Sequence, residues 1–398
     1  MVRACTAGCG DEGKTMNRLS QQPGTNVHDK SVSGYTHRDF EPVNTVFRSV
    51  VRARRGAGAA LSIYVGDECV VDLWGGSYRS DSLQLLFSAT KGALAVCANM
   101  LVQRGQLDLD APVASVWPEF AAGGKDRVLI RWLLTHQAGV PAVSSQLPVI
   151  EYAAGRRATE ELAAQTPFWE PGKAHGYHGL TIGPLVDEVV RRSTGRSIAQ
   201  FFASEVAAPL GLEFWIGLPE DLEARVIPVQ MGDRSGTEVL AAAATARQDP
   251  SSVVSKANIV INPTDFDTRE VHAVELPAAN GISTARALAR MYAACMNDVD
   301  GVRLLDDATL SAACEVQAAG LDLITVEENR FGLGFYLPFA RIPFAGPTSF
   351  GHDGAGGALG FGDRESGLAF GYITSLVPPL LGSDPATDEL ISAACDCL

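Results

Sequence analysis

The order in which two kinds of patterning occur restricts how this chain can fold. Residues 59–65 and 69–74 are β-prone runs separated by Gly66-Asp67-Glu68, the pattern of a hairpin. Short β-prone runs return only beyond Arg330, at residues 332–337, 349–352, 358–362 and 368–374. Apolar residues at helical spacing fill the middle, predicting helices over 85–104, 130–134, 160–165, 180–194 and 197–206. Further helices are expected over 40–55, from a cap at Ser283 or Thr284 through Cys295, and over 387–395. Strands from both ends can share one sheet if the middle is an insertion. The expected class is therefore α/β (α+β): an antiparallel sheet flanked by helices, with an inserted, mostly helical subdomain. Residues 37–84 and 285–398 form the sheet subdomain in this reading, and 85–284 the helical one. Residues 1–36, polar and rich in Gly, Ser, Gln and Asn, read as a flexible N-terminal extension. Residues 219–280 carry Pro228, Pro250 and Pro263 without a strong period and read as lid-like loops.

Composition narrows the function classes. The chain has 398 residues, 46% of them hydrophobic, enough for a large core. A formal charge of −14 without a basic patch argues against a nucleic-acid partner. No apolar run approaches the roughly 18 residues of a membrane span, and no N-terminal signal pattern is present, so a cytoplasmic protein is expected. Eight cysteines are scattered, mostly in apolar contexts such as Val96-Cys97-Ala98 and without a Cys-x-x-Cys pair. They read as small buried residues, with neither a disulfide framework nor a metal site. Gly8-Cys9-Gly10-Asp11-Glu12-Gly13-Lys14-Thr15 matches the phosphate-loop pattern letter for letter. That loop works between a buried strand and a helix, and neither flank has the pattern of one, so no nucleotide site is expected.

Three stretches carry possible chemistry. Phe87-Ser88-Ala89-Thr90-Lys91 holds the chain's only Ser-x-x-Lys, and lysine occurs at only six positions. At helical spacing the Ser88 hydroxyl and the Lys91 amine share a face, which suits an activated nucleophile, although such a pair also arises by chance on solvated faces. His175-Gly176-Tyr177-His178-Gly179 places Tyr177 on a glycine-flanked loop before a helix. Its phenol either points into a cleft, where a lysine ammonium lowers its pKa, or packs in the core with its hydroxyl hydrated. His352-Asp353-Gly354-Ala355-Gly356-Gly357 is rich in glycine within a strand and turn. This marks either a close backbone approach that supplies N–H groups for an oxyanion, or simply a tight turn.

Together, Ser88-x-x-Lys91, Tyr177-His178-Gly179 and His352-Asp353-Gly354 resemble, in order and rough spacing, the serine β-lactamase and penicillin-binding-protein superfamily. Leu133-Leu134-Thr135-His136-Gln137-Ala138-Gly139 and Gly105-Gln106-Leu107-Asp108-Leu109-Asp110 are similar to segments of it too, and within it the chain looks most like the family VIII carboxylesterases. The resemblance implies Ser88 as nucleophile, with Lys91 and Tyr177 sharing the acid and base work. It implies an oxyanion hole from the Ser88 and Ala355 N–H groups, substrate contacts at His352, Gly354 and Gly179, and no cofactor or metal. Two departures matter. Gly179 replaces an asparagine that could bind a substrate amide, and His352 replaces a permanent cation with a group mostly neutral at pH 7. Small acyl esters thus become the expected substrates. An acyltransferase using the same acyl-enzyme, and a penicillin-binding-like sensor without turnover, are the alternatives. His352 as the catalytic base instead is a further alternative, set against a role that Tyr177 and Lys91 already fill. His136 and His178 read as structural or cleft-lining, and Asp108 and Asp110 as turn and capping residues.

Overall fold

A computed structural model of the protein describes residues 24–28, 31–54, 56–145, 147–232, 245–257, 262–379 and 382–398. The phosphate-loop match at residues 8–15 lies outside the described residues. Seven strands form one antiparallel sheet: β1 (Thr25–His28), β2 (Val32–Thr36), β3 (Ala59–Val65), β4 (Glu68–Gly75), β5 (Ser349–Asp353), β6 (Leu359–Asp363) and β7 (Leu368–Thr374). Their order is β1-β2-β4-β3-β7-β6-β5. The two ends of the chain meet at the centre, where β3 pairs with β7 from Ala59↔Thr374 to Val65↔Leu368.

Alternation along β7 sends side chains to two cores. Leu368, Phe370 and Tyr372 join Ile63, Val71 and Phe361 under α1 (Glu41–Ala53) and the C-terminal helix (Ala386–Cys395), which pack together on one face. Ala369 and Ile373 face the helix Ala285–Met296 on the other side. That helix lies directly on the sheet because Gly360 and Gly371 are cross-strand partners. A methyl group at Gly371 would collide with the Ala285 carbonyl, and one at Gly360 would come within 2.8 Å of the Leu288 side chain. The helix Lys91–Gln103 is apolar on nearly every side, and its residues from Lys91 to Leu101 are all buried. Its N-terminal turn adjoins the edge strand β5, and along its length it packs on the helices Ile198–Phe202 and Asp307–Ala313.

Several expectations need correction. The extension read over 1–36 contains β1 and β2, and β2 pairs with β4. Its period-two pattern is short, and Gly34, at φ 135° against the Asp72 carbonyl, hides it further. Residues 332–337 are not a strand. A tight turn with Gly334 at φ 86° replaces it, and the strand lies one step earlier, Glu328–Phe331, paired with Ala318–Leu321. The expected helix over 85–104 begins as a short strand, Gln84–Leu85, followed by a turn of 3₁₀ helix at Phe87–Thr90. Thr284 rather than Ser283 caps the helix Ala285–Met296, its hydroxyl accepting from Ala287 N at 3.1 Å. Cys395 is disulfide-bonded, against the reading of the cysteines as unpaired, while Cys69, Cys97, Cys295, Cys314 and Cys397 are free. Among the described residues no helix is long and apolar enough to cross a membrane.

Candidate active site

Ser88 lies in the 3₁₀ turn that feeds the buried helix Lys91–Gln103. The turn is fastened from outside: Leu86 N donates to Gly281 O at 2.8 Å, and Gly281 N donates to Thr90 Oγ1 at 2.9 Å. Thr90 Oγ1 in turn donates to Phe87 O. Phe87 is held at φ 49°, a left-handed conformation that costs a bulky residue about 1–3 kcal/mol. Its ring is buried against Phe266, with centroids 5.6 Å apart. The result is a sharp bend that leaves Ser88 half-buried while its neighbours Phe87, Ala89 and Thr90 are buried.

Lys91, the next residue but two, is fully buried. Its Nζ donates to Gly179 O at 2.7 Å and to Ala278 O at 2.9 Å, and it lies 3.1 Å from Ser88 Oγ. Burial lowers its pKa to about 7, with Asp353 opposing the shift. A neutral amine has two N–H bonds and one lone pair. Two carbonyls take the N–H bonds, which leaves the lone pair for the Ser88 hydroxyl.

Tyr177 brings its phenol within hydrogen-bonding reach of Ser88, and Lys91 Nζ lies 5.0 Å from the ring centroid. Burial pushes the phenol pKa up; the Ser88 hydrogen bond works against this without reversing it. The sequence expectation of a phenol made acidic by the lysine is therefore reversed. Tyr177 stays protonated, while Lys91 is the group whose pKa burial brings to about 7. The ring is stacked on Tyr336 at 15°, with His136 on another side, centroids 5.1 Å apart. Tyr177 N donates to Asp322 Oδ1 at 3.1 Å. His178 Nδ1 donates to Gly176 O at 2.6 Å and its Nε2 accepts from Val140 N at 3.1 Å. His136 Nδ1 accepts from His178 N at 3.0 Å. Burial keeps both rings neutral, lowering His178 to about 4 and His136 well below its ordinary value. Both histidines are structural and hold the tyrosine loop.

The third stretch closes the site from the edge of the sheet. Gly354 is pressed against the Ser88 turn so tightly that any side chain would collide with Leu86 O, and one at Gly356 would collide with the Phe87 ring. Gly354 N donates to Ala358 O at 2.8 Å and Gly357 N to Gly354 O at 2.9 Å, so the backbone of Gly354 is spent on its own turn. Gly179 likewise gives its carbonyl to Lys91. Both glycines, which the resemblance implies touch substrate, also shape the site through these contacts. Among the described residues, the N–H groups of Ser88 and Ala355 donate to no backbone carbonyl elsewhere in the chain, and both residues are half-buried. His352 is buried against Tyr336, centroids 4.3 Å apart, and its Nδ1 donates to Asp353 O at 2.7 Å. Its Nε2 is consequently an unprotonated acceptor. Burial first, and then the charge of Lys91, lower its pKa to about 3.

Sequence reasoning missed two parts of the site. Arg341 pairs with Asp353 at 2.6 Å and Glu327 at 3.0 Å, and Asp353 also accepts from Ser383 N at 3.1 Å. Burial raises the Asp353 carboxyl, but Arg341 and His352 outweigh it and hold it below its ordinary value. The Ala278 carbonyl is the other part, invisible because a backbone oxygen carries no residue signature. Behind the Ser88 turn, Phe87 joins a buried apolar cluster with Phe266, Val271 and Leu276, against which Ala355 is partly buried. Among the described residues no cluster of His, Cys, Asp or Glu is placed to hold a metal ion.

A family profile described as beta-lactamase matches residues 43–394. The chain is 32% identical to the esterase/beta-lactamase LipL of Mycobacterium tuberculosis, over 94% of this chain and 90% of that protein. The crystal structure of a family VIII carboxylesterase superposes with a TM-score of 0.83 at 32% identity, covering 92% of this chain and all of that one. A penicillin-binding protein homolog from Caulobacter crescentus superposes with a TM-score of 0.80 at 33% identity, covering 93% of this chain. Matched over most of its length by that profile and by a relative of 32% identity, this chain belongs to the beta-lactamase family.

Proposed function

We propose that the enzyme is a serine carboxylesterase that cleaves small neutral acyl esters through an acyl-enzyme at Ser88. The observation that carries this reading is the hydrogen-bond set of Lys91: two carbonyls fix its N–H bonds and Ser88 Oγ faces its lone pair at 3.1 Å. Lys91 takes the Ser88 proton as Oγ bonds to the acyl carbon. The carbonyl oxygen becomes an oxyanion, stabilised by the N–H groups of Ser88 and Ala355. Tyr177, protonated and beside Ser88, passes a proton to the departing alkoxide as the C–O bond breaks. Lys91 carries the first proton and resupplies Tyr177. Water then attacks the acyl-enzyme, and the same groups return the proton to Ser88.

Esters are favoured over β-lactams by two features. His352 is neutral and buried, so it offers a substrate carboxylate no cation. Gly179 offers no side-chain amide.

The test is turnover of a short-chain chromogenic ester, paired with fluorophosphonate labelling and peptide mass mapping. Label on Ser88 with loss of turnover is the expected result. Label on another residue, or turnover that survives in Ser88→Ala, overturns the reading. Fast hydrolysis of a chromogenic cephalosporin at the ester's rate would remove the preference for esters.

A further inference from the structure

Asn280 has no exposed surface and lies outside the three motifs, yet its side chain makes three hydrogen bonds. Its Oδ1 accepts from Leu276 N at 3.1 Å, and its Nδ2 donates to Val271 O at 2.7 Å and Val274 O at 2.6 Å. The backbone of the same turn is closed by Ala279 N and Asn280 N, both donating to Leu276 O, at 3.0 and 3.2 Å. The next residue, Gly281, is bonded in both directions to the nucleophile turn, through Leu86 N and Thr90 Oγ1. Between these anchors lies Ala278, whose carbonyl oxygen is 2.9 Å from Lys91 Nζ.

Resting on the reading of Lys91 as the base for Ser88, we propose that Asn280 is a positioning residue that holds the Ala278 carbonyl on Lys91 and so keeps its lone pair aimed at Ser88. A carbonyl in a five-residue turn has little else to fix its direction. The Gly179 carbonyl alone leaves Lys91 free to rotate about one hydrogen bond. Asn280 satisfies one N–H and two C=O groups that the turn leaves over, and a shorter side chain in its place leaves them unpaired in a buried site. The turn then opens, water reaches Nζ, and both the orientation and the desolvation of the amine are lost. A displacement of about 1 Å in a reacting group costs on the order of 100-fold in rate. The other charged or titratable groups that face Lys91 are Tyr177, His136, His352 and Asp353, and the side chain of Asn280 hydrogen-bonds to Leu276, Val271 and Val274 rather than to any of them.

The test is Asn280→Ala in the full chain, with rates normalised to sites titrated by fluorophosphonate. The expected result is complete labelling at a rate about 100-fold lower, with kcat down by a similar factor and KM within about threefold. The rising limb of the pH profile should move up by roughly one pH unit, since a hydrated ammonium loses its proton less readily. A role in stability alone lowers the number of titratable sites and leaves the limb in place. Asn280→Asp keeps the shape and the Leu276 contact but replaces the two donors, and should lose about 10-fold; it is read alone if the alanine variant does not fold. Wild-type kcat per site and an unmoved limb in the variant overturn the proposal while the Ser88 reading stands. Absence of label on Ser88 in the wild type overturns both.

Discussion

Among the described residues two lysines are fully buried, and they show how similar surroundings give different chemistry. Lys125 donates to Ala122 O at 2.7 Å, to Ala163 O at 3.1 Å and to Gln165 O. Lys91 donates to two carbonyls and faces a hydroxyl. Burial lowers both, Lys91 to about 7 and Lys125 to about 8. The difference is the third partner. Three carbonyl oxygens need three N–H bonds, which only an ammonium has, so Lys125 is a charged staple between the 122–125 turn and the end of the helix Arg157–Ala164. Two carbonyls and a hydroxyl suit a neutral amine equally well, and that amine is a base. Burial makes a lysine easier to deprotonate; the hydrogen-bond count decides whether this is useful.

The comparison breaks most visibly at Ser88. Ser88→Ala removes the group that distinguishes the two lysines and should lower kcat/KM for a chromogenic ester by about 10⁴-fold or more. Lys91→Met, which removes the base, should cost about 10³-fold, and the residual rate should no longer rise through neutral pH. Tyr177→Phe keeps the stacked ring and loses only the proton donor, so about 10²-fold in kcat is expected. A pH profile of wild-type kcat/KM sharpens the comparison further. Because Lys91 must be neutral to accept the proton, activity should rise about tenfold per pH unit below about 7 and level off above it. His178 and His352 are lowered to about 4 and about 3, so they add no limb in that range. Lys125→Met should have the smallest effect on catalysis, with kcat unchanged. Three carbonyls lose their donor, and stability should fall by about 2–3 kcal/mol, seen as a lower melting temperature. A large fall in kcat in that variant would erase the distinction between the lysines.

Much of the site was legible because its chemistry is carried by side chains at fixed spacing. Ser88 and Lys91 are one helical turn apart, and a glycine-rich run announces close backbone approach whatever approaches it. What Gly354 approaches was not legible: it packs on Leu86, a partner 268 positions away, and so shapes the turn that carries Ser88. The direction of the Tyr177 shift was misread for a related reason. Residue types suggested a neighbouring charge, but the packing of Tyr336 and His136 around the ring makes burial the larger effect. β2 was hidden by its own glycine, since a strand of five residues with Gly34 at its centre offers little period to read.

The sequence by itself determined the class of fold and the placing of Ser88 and Lys91 on one face, because periodicity and i,i+3 spacing are local properties of a chain. Tertiary structure alone decided the hydrogen-bond sets on which the proposal of Lys91 as a base and Lys125 as a staple rests. Both are lysines in apolar surroundings, and what separates them is the set of backbone oxygens that distant segments bring to each amine.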